Sequence, residues 1–442
     1  MSQIKPRVFK GARDFLPEQM LHRESILDVM RKTFKKYGFA PLETPSIEYL
    51  DVLSGKYGED ADRLIYKLDY KPGTKDQAAL HYDLTVPFSR VIAMNPDLPM
   101  PFKRYQIQPV WRADRPQPHQ GRFREFYQCD IDAVGSSSML IDAEMVAITY
   151  EVLKTLGFKT FIIKINNRKI LNGITVFAGL EADKTQDVCR SIDKLDKMPW
   201  EEVEKELNEK AFPQTAIEKL KNLFNQQLTL DHLSEALAGI EMAQEGIAET
   251  KELFDFLEQL GVDKNHYTFD LSLARGLDYY TGPIFETKLT DQPHMGSLTG
   301  GGRYDHLIGM FTGKDLPSVG TTLGLDRIFT AMQQLNMLTP IKTSTKVLVA
   351  VFSKEEMKYS VKLATQLREQ NIATEIYPEP DKLKKQFGYA DKKGIPYMAI
   401  LGENEIKENL VTIKDLRTGK QMRVALSTAV EYIRENKSIL VD

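Results

Sequence analysis

The most constraining part of this sequence is a turn-forming stretch at residues 271–286, which reads L-S-L-A-R-G-L-D-Y-Y-T-G-P-I-F-E. Within eight positions it combines a cation (Arg275), a carboxylate (Asp278), two phenols (Tyr279 and Tyr280) and two glycines. The Gly-Pro pair favours a turn, and the run after it predicts a strand. Polar groups on a tight turn beside a strand are typical of a pocket wall that orients a small polar ligand. A plain surface turn is the alternative.

Two glycine-rich segments follow this stretch. Residues 296–305 read G-S-L-T-G-G-G-R-Y-D, and residues 318–328 read S-V-G-T-T-L-G-L-D-R-I. Three consecutive glycines are costly to order, and they occur where backbone must approach a ligand or another strand closely. In the second segment, Gly320 and Gly324 flank a predicted strand of small residues, and Arg327 opens the helix after it. An arginine so placed can reach a triphosphate.

These three segments, in this order, resemble the histidyl-tRNA synthetase family. R-G-L-D-Y-Y-T-G and G-G-G-R-Y-D are similar to two histidine motifs of that family. G-x-x-x-G-L-D-R is similar to motif 3 of the class II aminoacyl-tRNA synthetases. The resemblance implies an α+β catalytic domain with an antiparallel sheet, a helical insertion and a C-terminal α/β domain of the anticodon-binding type.

The longest informative stretch predicts two strands joined by a loop. Residues 102–112 and 122–132 both alternate in polarity, and the loop 113–121 between them carries two prolines. A solvated, salt-bridged hairpin is the alternative, and alternation leaves open whether Arg112 points inward or outward. The stretch resembles class II motif 2, which implies that Arg112 holds the α-phosphate of ATP and that the loop touches the tRNA acceptor end.

A shorter polar stretch, Y-D-L-T-V-P at residues 82–87, predicts an extended segment with Asp83 and Thr85 on one side. A carboxylate and a hydroxyl on one face could bind an ammonium group, and a capping or turn role is the alternative. The resemblance implies that this acid-x-Thr segment holds the α-amino group of histidine.

Domain organisation follows from changes in pattern along the chain. A helix is predicted over residues 17–37, and the Pro-bearing segment 39–45 after it resembles motif 1, which implies a homodimer. We expect a catalytic domain at 1–335, interrupted at 169–259 by a mostly helical insertion rich in Lys and Glu. A strand–helix–strand–helix–strand pattern then predicts an α/β domain at 343–442, placed like the anticodon-binding domain.

Composition narrows the compartment and the partners. The chain has 442 residues, a formal net charge of −3, two cysteines and no apolar run of membrane-spanning length. We therefore expect a cytoplasmic protein without a membrane partner, and no signal or transit pattern opens the sequence. From residue 341 onward there are 18 Lys and Arg residues and 14 Asp and Glu residues. This mild excess of positive charge favours a polyanionic partner.

The resemblance implies a two-step ligase reaction, in which histidine and ATP form histidyl-adenylate and tRNA(His) then accepts the histidyl group. Its implied histidine-binding residues are Asp83, Thr85, Gln128, Asp132, Tyr279 and Tyr280. Its implied ATP-binding residues are Arg112, Arg122, Arg275 and Arg327, with Arg275 and Arg112 as the catalytic pair. ATP is expected with Mg²⁺ on its distal phosphates, and we assign no residue as a metal ligand.

Two other interpretations compete with this one. Catalytically inactive relatives of synthetases serve as regulatory subunits of histidine biosynthesis or as tRNA sensors, and these tend to lose the R-G-L-D-Y-Y stretch or the C-terminal domain. This sequence has both the R-G-L-D-Y-Y stretch and a C-terminal region of the expected pattern. A class II synthetase for another amino acid is the second alternative, and the two histidine-like motifs argue against it.

Overall fold

The computed structural model describes residues 4–69, 73, 76–196, 198–226, 228–274 and 279–435. Internal contacts divide the chain into two compact units. The first comprises Met1–Asp14 with Ser25–Met337, and the second comprises Phe15–Glu24 with Leu338–Asp442.

The first unit is built on short β-strands and flanking helices. Helix α1 (Pro17–Lys36) belongs to the second unit up to Glu24 and to the first unit from Ser25. The elements that follow, up to residue 167, are β1 (Ala40–Pro41), β2 (Ile47–Tyr49), α2 (Leu50–Leu53), α3 (Glu59–Asp62), β3 (Lys67–Leu68), β4 (Ala78–Leu80), α4 (Thr85–Met94), β5 (Phe102–Trp111), β6 (Glu125–Val134), α5 (Met139–Thr155) and β7 (Phe161–Asn167). A helical segment follows with α6 (Arg168–Phe177), α7 (Thr185–Ile192), α8 (Trp200–Glu209), α9 (Gln214–Phe224), α10 (Leu230–Ala236) and α11 (Glu241–Gln259). The unit ends with β8 (Tyr267–Phe269), β9 (Pro283–Leu289), β10 (Thr299–Arg303), α12 (Gly309–Thr312), β11 (Ser318–Gly324) and α13 (Leu325–Gln334).

Eight of these strands form one large sheet in the order β1-β5-β6-β11-β10-β9-β7-β8. Its two edge strands, β1 and β8, pair in parallel with their neighbours, and the six central strands pair antiparallel. The ten-residue strands β5 and β6 pair along their whole length, as their alternating sequence predicts. The strands β2, β4 and β3 form a separate small sheet.

The helical segment between β7 and β8 has a hydrophobic core of its own. Its buried side chains recur at helical spacing, because each amphipathic helix turns one apolar face inward. The members include Ile170, Ile174, Trp200, Leu207, Leu220, Leu233 and Ile247. Ile284 of β9 belongs to the same cluster, so the segment packs on the end of the large sheet from which it emerges.

The second unit contains a five-stranded sheet with helices packed against it. Its elements after residue 338 are β12 (Val347–Val349), α14 (Met357–Glu369), β13 (Thr374–Ile376), α15 (Leu383–Lys393), β14 (Tyr397–Ile400), α16 (Glu403–Glu408), β15 (Val411–Asp415), β16 (Gln421–Val424) and α17 (Leu426–Glu435). The strand order is β13-β12-β14-β15-β16, parallel among the first three and antiparallel beyond them.

This architecture agrees with the expected α+β sheet domain, helical segment and C-terminal α/β domain. Two local expectations were incomplete. Helix α16 was not predicted, because its six residues are too few to show a hydrophobic period. The segment 82–87 is not extended throughout, because Thr85 already begins α4 and Leu84 has helical dihedral angles (φ −104°, ψ −11°). In the part of the chain that the structure describes, no helix is both long and apolar enough to cross a membrane.

Candidate active site

Strand β6 carries the polar floor of a cavity. Gln128, Asp130 and Asp132 alternate along it, so their side chains share one face of the sheet. Across the neighbouring strand β11, Asp132 pairs with Gly320 and Asp130 with Thr322. A Cβ atom on Gly320 would lie 2.1 Å from Asp132 Oδ1, so only glycine leaves room for that carboxylate.

The cavity above this face has a volume of about 330 Å³, enough for a small polar ligand. Nine of the ten predicted site residues line it, namely Asp83, Thr85, Arg112, Arg122, Gln128, Asp132, Tyr279, Tyr280 and Arg327. They come from α4, β6, α13 and connecting segments of the first unit, so the fold brings together residues up to 244 positions apart. The tenth predicted residue, Arg275, lies outside the described residues.

Asp83 stands just before helix α4 and is almost fully buried. Its Oδ1 atom accepts hydrogen bonds from the Tyr57 hydroxyl at 2.8 Å and from the backbone N–H of Val86 at 3.1 Å. Among the described residues, its Oδ2 atom has no hydrogen-bond partner. Burial raises the pKa of Asp83, and the two hydrogen bonds oppose that rise. The carboxylate therefore caps the helix with one oxygen and presents the other to the cavity.

Arg112 points toward the cavity, which answers the orientation that the sequence left open. Its guanidinium lies 4.3 Å from the centroid of the Tyr82 ring and 5.2 Å from that of Phe126. Its Nε atom donates to the carbonyl oxygen of Tyr82 at 3.0 Å, and Nη2 lies 3.4 Å from the Gln128 amide oxygen. Stacking on aromatic faces holds the planar cation in a fixed direction.

Asp132 is held by two partners, one from strand β5 and one from the segment after β10. The Tyr304 hydroxyl donates a hydrogen bond to Oδ1, and Arg104 Nη2 lies 2.7 Å from Oδ2. Arg104 is fully buried and its guanidinium stacks 4.4 Å from the centroid of the Phe88 ring. Burial raises the pKa of Asp132, while Arg104 and the Tyr304 hydroxyl act in the opposite direction. The carboxylate is therefore fixed in position at the floor of the cavity.

Three tyrosines form one aromatic wall of the cavity. The ring of Tyr279 lies 5.1 Å from that of Tyr280 and 5.8 Å from that of Tyr304, each pair edge to face. Burial is the main cause of a raised pKa at all three hydroxyls. They therefore stay protonated at neutral pH and can donate or accept hydrogen bonds. The chain before them is anchored by Asn166, whose amide donates to the carbonyl oxygens of Leu271 and Leu273.

The cations at the mouth of the cavity already have protein partners. Arg122 Nη2 donates to Asp114 Oδ2 at 2.8 Å, and Arg327 Nη1 donates to the carbonyl oxygen of Ser297 at 2.6 Å. Asp326, the neighbour of Arg327, is bound by Arg13 at 2.5 Å and by the backbone N–H of Tyr127. These contacts hold both arginines beside the space that a phosphate chain would need.

The arginine of G-G-G-R-Y-D has a structural role. Arg303 makes a buried ion pair with Asp142 of helix α5 and also contacts Asp305 at 3.3 Å. Burial raises the pKa of Asp142 to about 6, and Arg303 limits that rise. The pair joins α5 to the strand that leads into Tyr304, so this part of the motif supports the site from behind.

Several cavity residues were missed in the sequence. Asp130, Tyr304 and Glu286 line the cavity, and Tyr57 and Arg104 hold two of its carboxylates. The alternation of β6 could have indicated Asp130, because it lies on the same face as Gln128 and Asp132. The other four depend on contacts between distant segments, which alternation does not reveal. Within the described ranges, no group of three or more His, Cys, Asp or Glu side chains is arranged to hold a metal ion.

An antiparallel sheet whose polar cavity is lined by arginines and buried carboxylates, joined to an α/β domain, defines a class II aminoacyl-tRNA synthetase. The family model for histidyl-tRNA synthetase matches residues 11–328, and that for the anticodon binding domain matches residues 346–436. The chain belongs to the histidyl-tRNA synthetase family. The predicted family and fold class are thus confirmed.

Individual relatives give the same result. The protein named Histidine--tRNA ligase of Cytophaga hutchinsonii is 43% identical over 97% of this chain and 99% of its own length. The protein of that name from Gloeobacter violaceus is also 43% identical, over 96% of this chain and 97% of its own. The crystal structure of histidyl-tRNA synthetase from a Nostoc species superposes with a TM-score of 0.88 at 33% identity, covering 98% of this chain and all of the other.

The description of one similar solved structure gives two functions. A Bacillus halodurans structure described as an ATP phosphoribosyltransferase regulatory subunit/histidyl-tRNA synthetase superposes with a TM-score of 0.72 at 23% identity. It covers 87% of this chain, and at that identity the similarity shows the fold alone.

Proposed function

We propose that this chain ligates L-histidine to tRNA(His) in an ATP-dependent reaction that passes through histidyl-adenylate. The observation that carries the proposal is the near full-length identity of 43% to proteins named Histidine--tRNA ligase, together with a cavity that has acceptors for an ammonium group and cations for phosphates. The chain is then an aminoacyl-tRNA synthetase and a ligase, with ATP as a substrate.

The α-amino group of histidine is the first recognition element. An ammonium group has three N–H donors and needs acceptors around it. In our proposal these are the Asp83 carboxylate, the Thr85 hydroxyl and the Gln128 amide oxygen. The unpartnered Oδ2 atom of Asp83 supports this assignment, because a buried carboxylate oxygen without a donor is unfavourable until a ligand supplies one.

The imidazole ring is the second recognition element. We propose that Asp132 faces one ring nitrogen and that the hydroxyl of Tyr279 or Tyr280 faces the other. Both tyrosines and Asp132 line the same cavity, and the rigid hold of Arg104 and Tyr304 on Asp132 supports a fixed ring position. A site built on such hydrogen bonds rejects apolar side chains strongly, because it would leave its own buried polar groups unpaired.

The ATP side of the reaction needs fixed cations. Attack of the histidine carboxylate on the α-phosphate brings two anions together, and preorganised positive charge stabilises that transition state. We propose that Arg112 and Arg275 contact the α-phosphate, with Arg112 oriented by its aromatic neighbours. Arg122 and Arg327 would bind the rest of the nucleotide.

Magnesium fits the same side of the cavity. Mg²⁺ usually takes one or two carboxylates and fills its other positions with water and substrate phosphates. Glu286 provides a carboxylate near Arg327, because the Ser297 hydroxyl donates to Glu286 and the Ser297 carbonyl accepts from Arg327. Its other oxygen lies 3.7 Å from Lys288 Nζ, a contact that a bound ion would weaken. We therefore propose Glu286 as a protein ligand of an ion held mainly by ATP. When bound, the ion would neutralise charge on the distal phosphates.

The remaining parts of the proposal concern tRNA binding, the roles of the domains, the oligomeric state and the cellular location. The region 343–442 would bind the anticodon arm of tRNA(His), supported by the anticodon-binding family model and the basic excess. The region 1–335 would catalyse, with 169–259 as its helical insertion. We further propose a homodimer and a cytoplasmic location, because both accompany this family.

Pyrophosphate exchange with each of the twenty amino acids tests the central proposal. Exchange should require ATP and be supported by histidine alone. Charging of a tRNA(His) transcript should follow under the same conditions. A folded protein that binds histidine yet exchanges with no amino acid would instead support the regulatory alternative, which nothing in the described structure favours. Exchange with a different amino acid would reject histidine specificity.

A further inference from the structure

A second buried carboxylate lies beside Asp132. Asp130 occupies the same face of β6, two positions earlier, and both side chains line the cavity with exposures of 1% and 2%. On the flanking strands, Gln106 of β5 and Thr322 of β11 pair with Asp130. Nothing in the proposed function uses Asp130.

Each carboxylate of the pair has one buried oxygen atom without a hydrogen bond from the described residues. The Oδ1 atom of Asp130 accepts one long hydrogen bond from Gln128 Nε2, at 3.4 Å. Its Oδ2 atom has no geometrically acceptable hydrogen bond from any described residue. Asp132 accepts from the Tyr304 hydroxyl at Oδ1, and its Oδ2 lies 2.7 Å from Arg104 Nη2, but among the described residues that atom also has no geometrically acceptable hydrogen bond. The pair can therefore accept two N–H donors from a ligand, one at each carboxylate.

Among the described residues, the charges that act on this pair do not balance. The groups that act on the two carboxylates are Arg104 from β5, Thr322 from β11, Tyr304 from the segment after β10, Asp83 from the turn before α4, and the nearby hydroxyl of Tyr280. Arg104 is the described cation that acts on the two carboxylates, Arg168 acts on Tyr280, and Asp83 adds a further negative charge. Burial raises the pKa of both Asp130 and Asp132, and repulsion between the two adds to it. Without a ligand, one proton on the pair removes this repulsion.

The geometry points to Asp130 as a second carboxylate for the substrate ring, with the Asp130–Asp132 pair binding histidine in its imidazolium form. This inference rests on the proposed function and deepens it. An imidazolium ring has two N–H donors and a positive charge, whereas neutral imidazole has one donor and one acceptor. The cation therefore supplies both the missing donor and the missing charge.

The proton has a defined origin and destination. Free histidine carries a largely neutral ring at pH values above about 6.5. When it binds, the proton held by the pair moves to a ring nitrogen, leaving two carboxylates and one imidazolium. At higher pH the free pair has lost that proton, so binding must take one from solvent. The apparent affinity for histidine should then fall by up to about tenfold for each further pH unit.

Nitrogen NMR of ¹⁵N-imidazole histidine bound to the full-length protein, above the pKa of the free ring, tests the inference directly. The two ring nitrogens of an imidazolium resonate close together, whereas those of a neutral tautomer are widely separated. We expect the imidazolium pattern in the wild-type protein. A neutral pattern would overturn the inference. Failure to bind histidine at all would reject the proposed function instead.

A matched pair of variants assigns the effect to Asp130. Asp130→Asn keeps the shape and removes the charge, so the bound ring should become neutral and the dissociation constant should rise by about 10- to 100-fold. Asp415→Asn also removes a buried carboxylate paired with an arginine, but it lies on β15 of the second unit and outside the cavity lining, and it should leave the ring signal unchanged. An imidazolium signal that persists in folded Asp130→Asn would refute the role of Asp130.

A histidine analogue provides a test that needs no variant. 2-Fluorohistidine has nearly the same shape as histidine, but its ring is far too weakly basic to accept the proton. We expect it to bind the wild-type protein at least about tenfold more weakly than histidine at neutral pH. Its affinity should not depend on pH in the range where the affinity for histidine does. Equal affinities for the two amino acids would contradict binding of the imidazolium.

Discussion

Removal of one buried hydroxyl should change the pH dependence of histidine activation. Tyr57 donates a 2.8 Å hydrogen bond to Asp83 Oδ1, and its side chain is almost completely buried. Tyr57→Phe deletes that donor while keeping the ring, which lies 4.9 Å from the Tyr82 ring. The Asp83 carboxylate then keeps only the backbone N–H of Val86 on that oxygen.

The size of the effect follows from the charge on Asp83. A hydrogen bond to an ionised group contributes roughly 1.5–3 kcal/mol, and about 1.4 kcal/mol corresponds to one pKa unit. Burial already raises the pKa of Asp83, and the Tyr57 hydroxyl lowers it, so its loss should raise that pKa further by roughly one to two units. Asp83 must be ionised to bind an ammonium group. On acidification, the variant should therefore lose activity at a higher pH than the wild-type protein does.

The measurement is kcat/KM for histidine in pyrophosphate exchange, recorded across pH. For Tyr57→Phe, the acidic limb of the profile should move to higher pH by that amount, while the KM for ATP stays unchanged. Tyr82→Phe is the control, because it removes a hydroxyl from the neighbouring, tilted ring, and that hydroxyl is not bonded to Asp83. Coincident acidic limbs for wild type and a well-folded Tyr57→Phe would refute the proposed role of Asp83.

Four further predictions test other parts of the site and the assembly. Gly320→Ala should reduce kcat/KM for histidine by at least about 10²-fold, because its Cβ would meet Asp132 Oδ1 at 2.1 Å. Gly388→Ala is the control and should have no effect, because its Cβ would have no atom within 4 Å. Equal activities of the two variants would contradict the close approach at Gly320. Arg275→Ala should slow adenylate formation by about 10²–10³-fold with little recovery in Arg275→Lys, and a near-normal single-turnover rate would reject its catalytic role. An anticodon stem-loop RNA should protect amides of residues 343–435 from hydrogen exchange, and protection confined to the catalytic region would reject the anticodon assignment. Sedimentation should give twice the chain mass of 50.5 kDa, and a monomer at micromolar concentration would reject the dimer.

Local patterns in the sequence predicted much of the site. The alternation of residues 122–132 placed Gln128 and Asp132 on one face of a strand, and the structure has them on the floor of the cavity. The spacing of Gly320 and Gly324 marked a strand of small residues, which proved to be β11. Such features are readable because the period of a strand and the lack of a Cβ are properties of the chain itself.

Other features were misread because local pattern did not decide them. The alternating polarity of Asp83 and Thr85 suggested an extended segment, yet Thr85 begins a helix. The Asp83 side chain accepts from the N–H of Val86 and so stabilises the turn into α4, as its alternative capping role implies. Both residues still reach the cavity, because a helix N-terminus brings them there as well as a strand would.

The sequence by itself determined the family, the order of the elements and most of the residue types that line the cavity. Only the tertiary structure decided which partners fix them. Asp132 takes its hydrogen bond from Tyr304, 172 positions away, and its ion pair from Arg104 across the β5–β6 ladder. Arg303, in the same motif as Tyr304, turns instead to Asp142 of helix α5. Strand register and helix packing bring these groups together, and both depend on contacts between segments that are far apart in the chain.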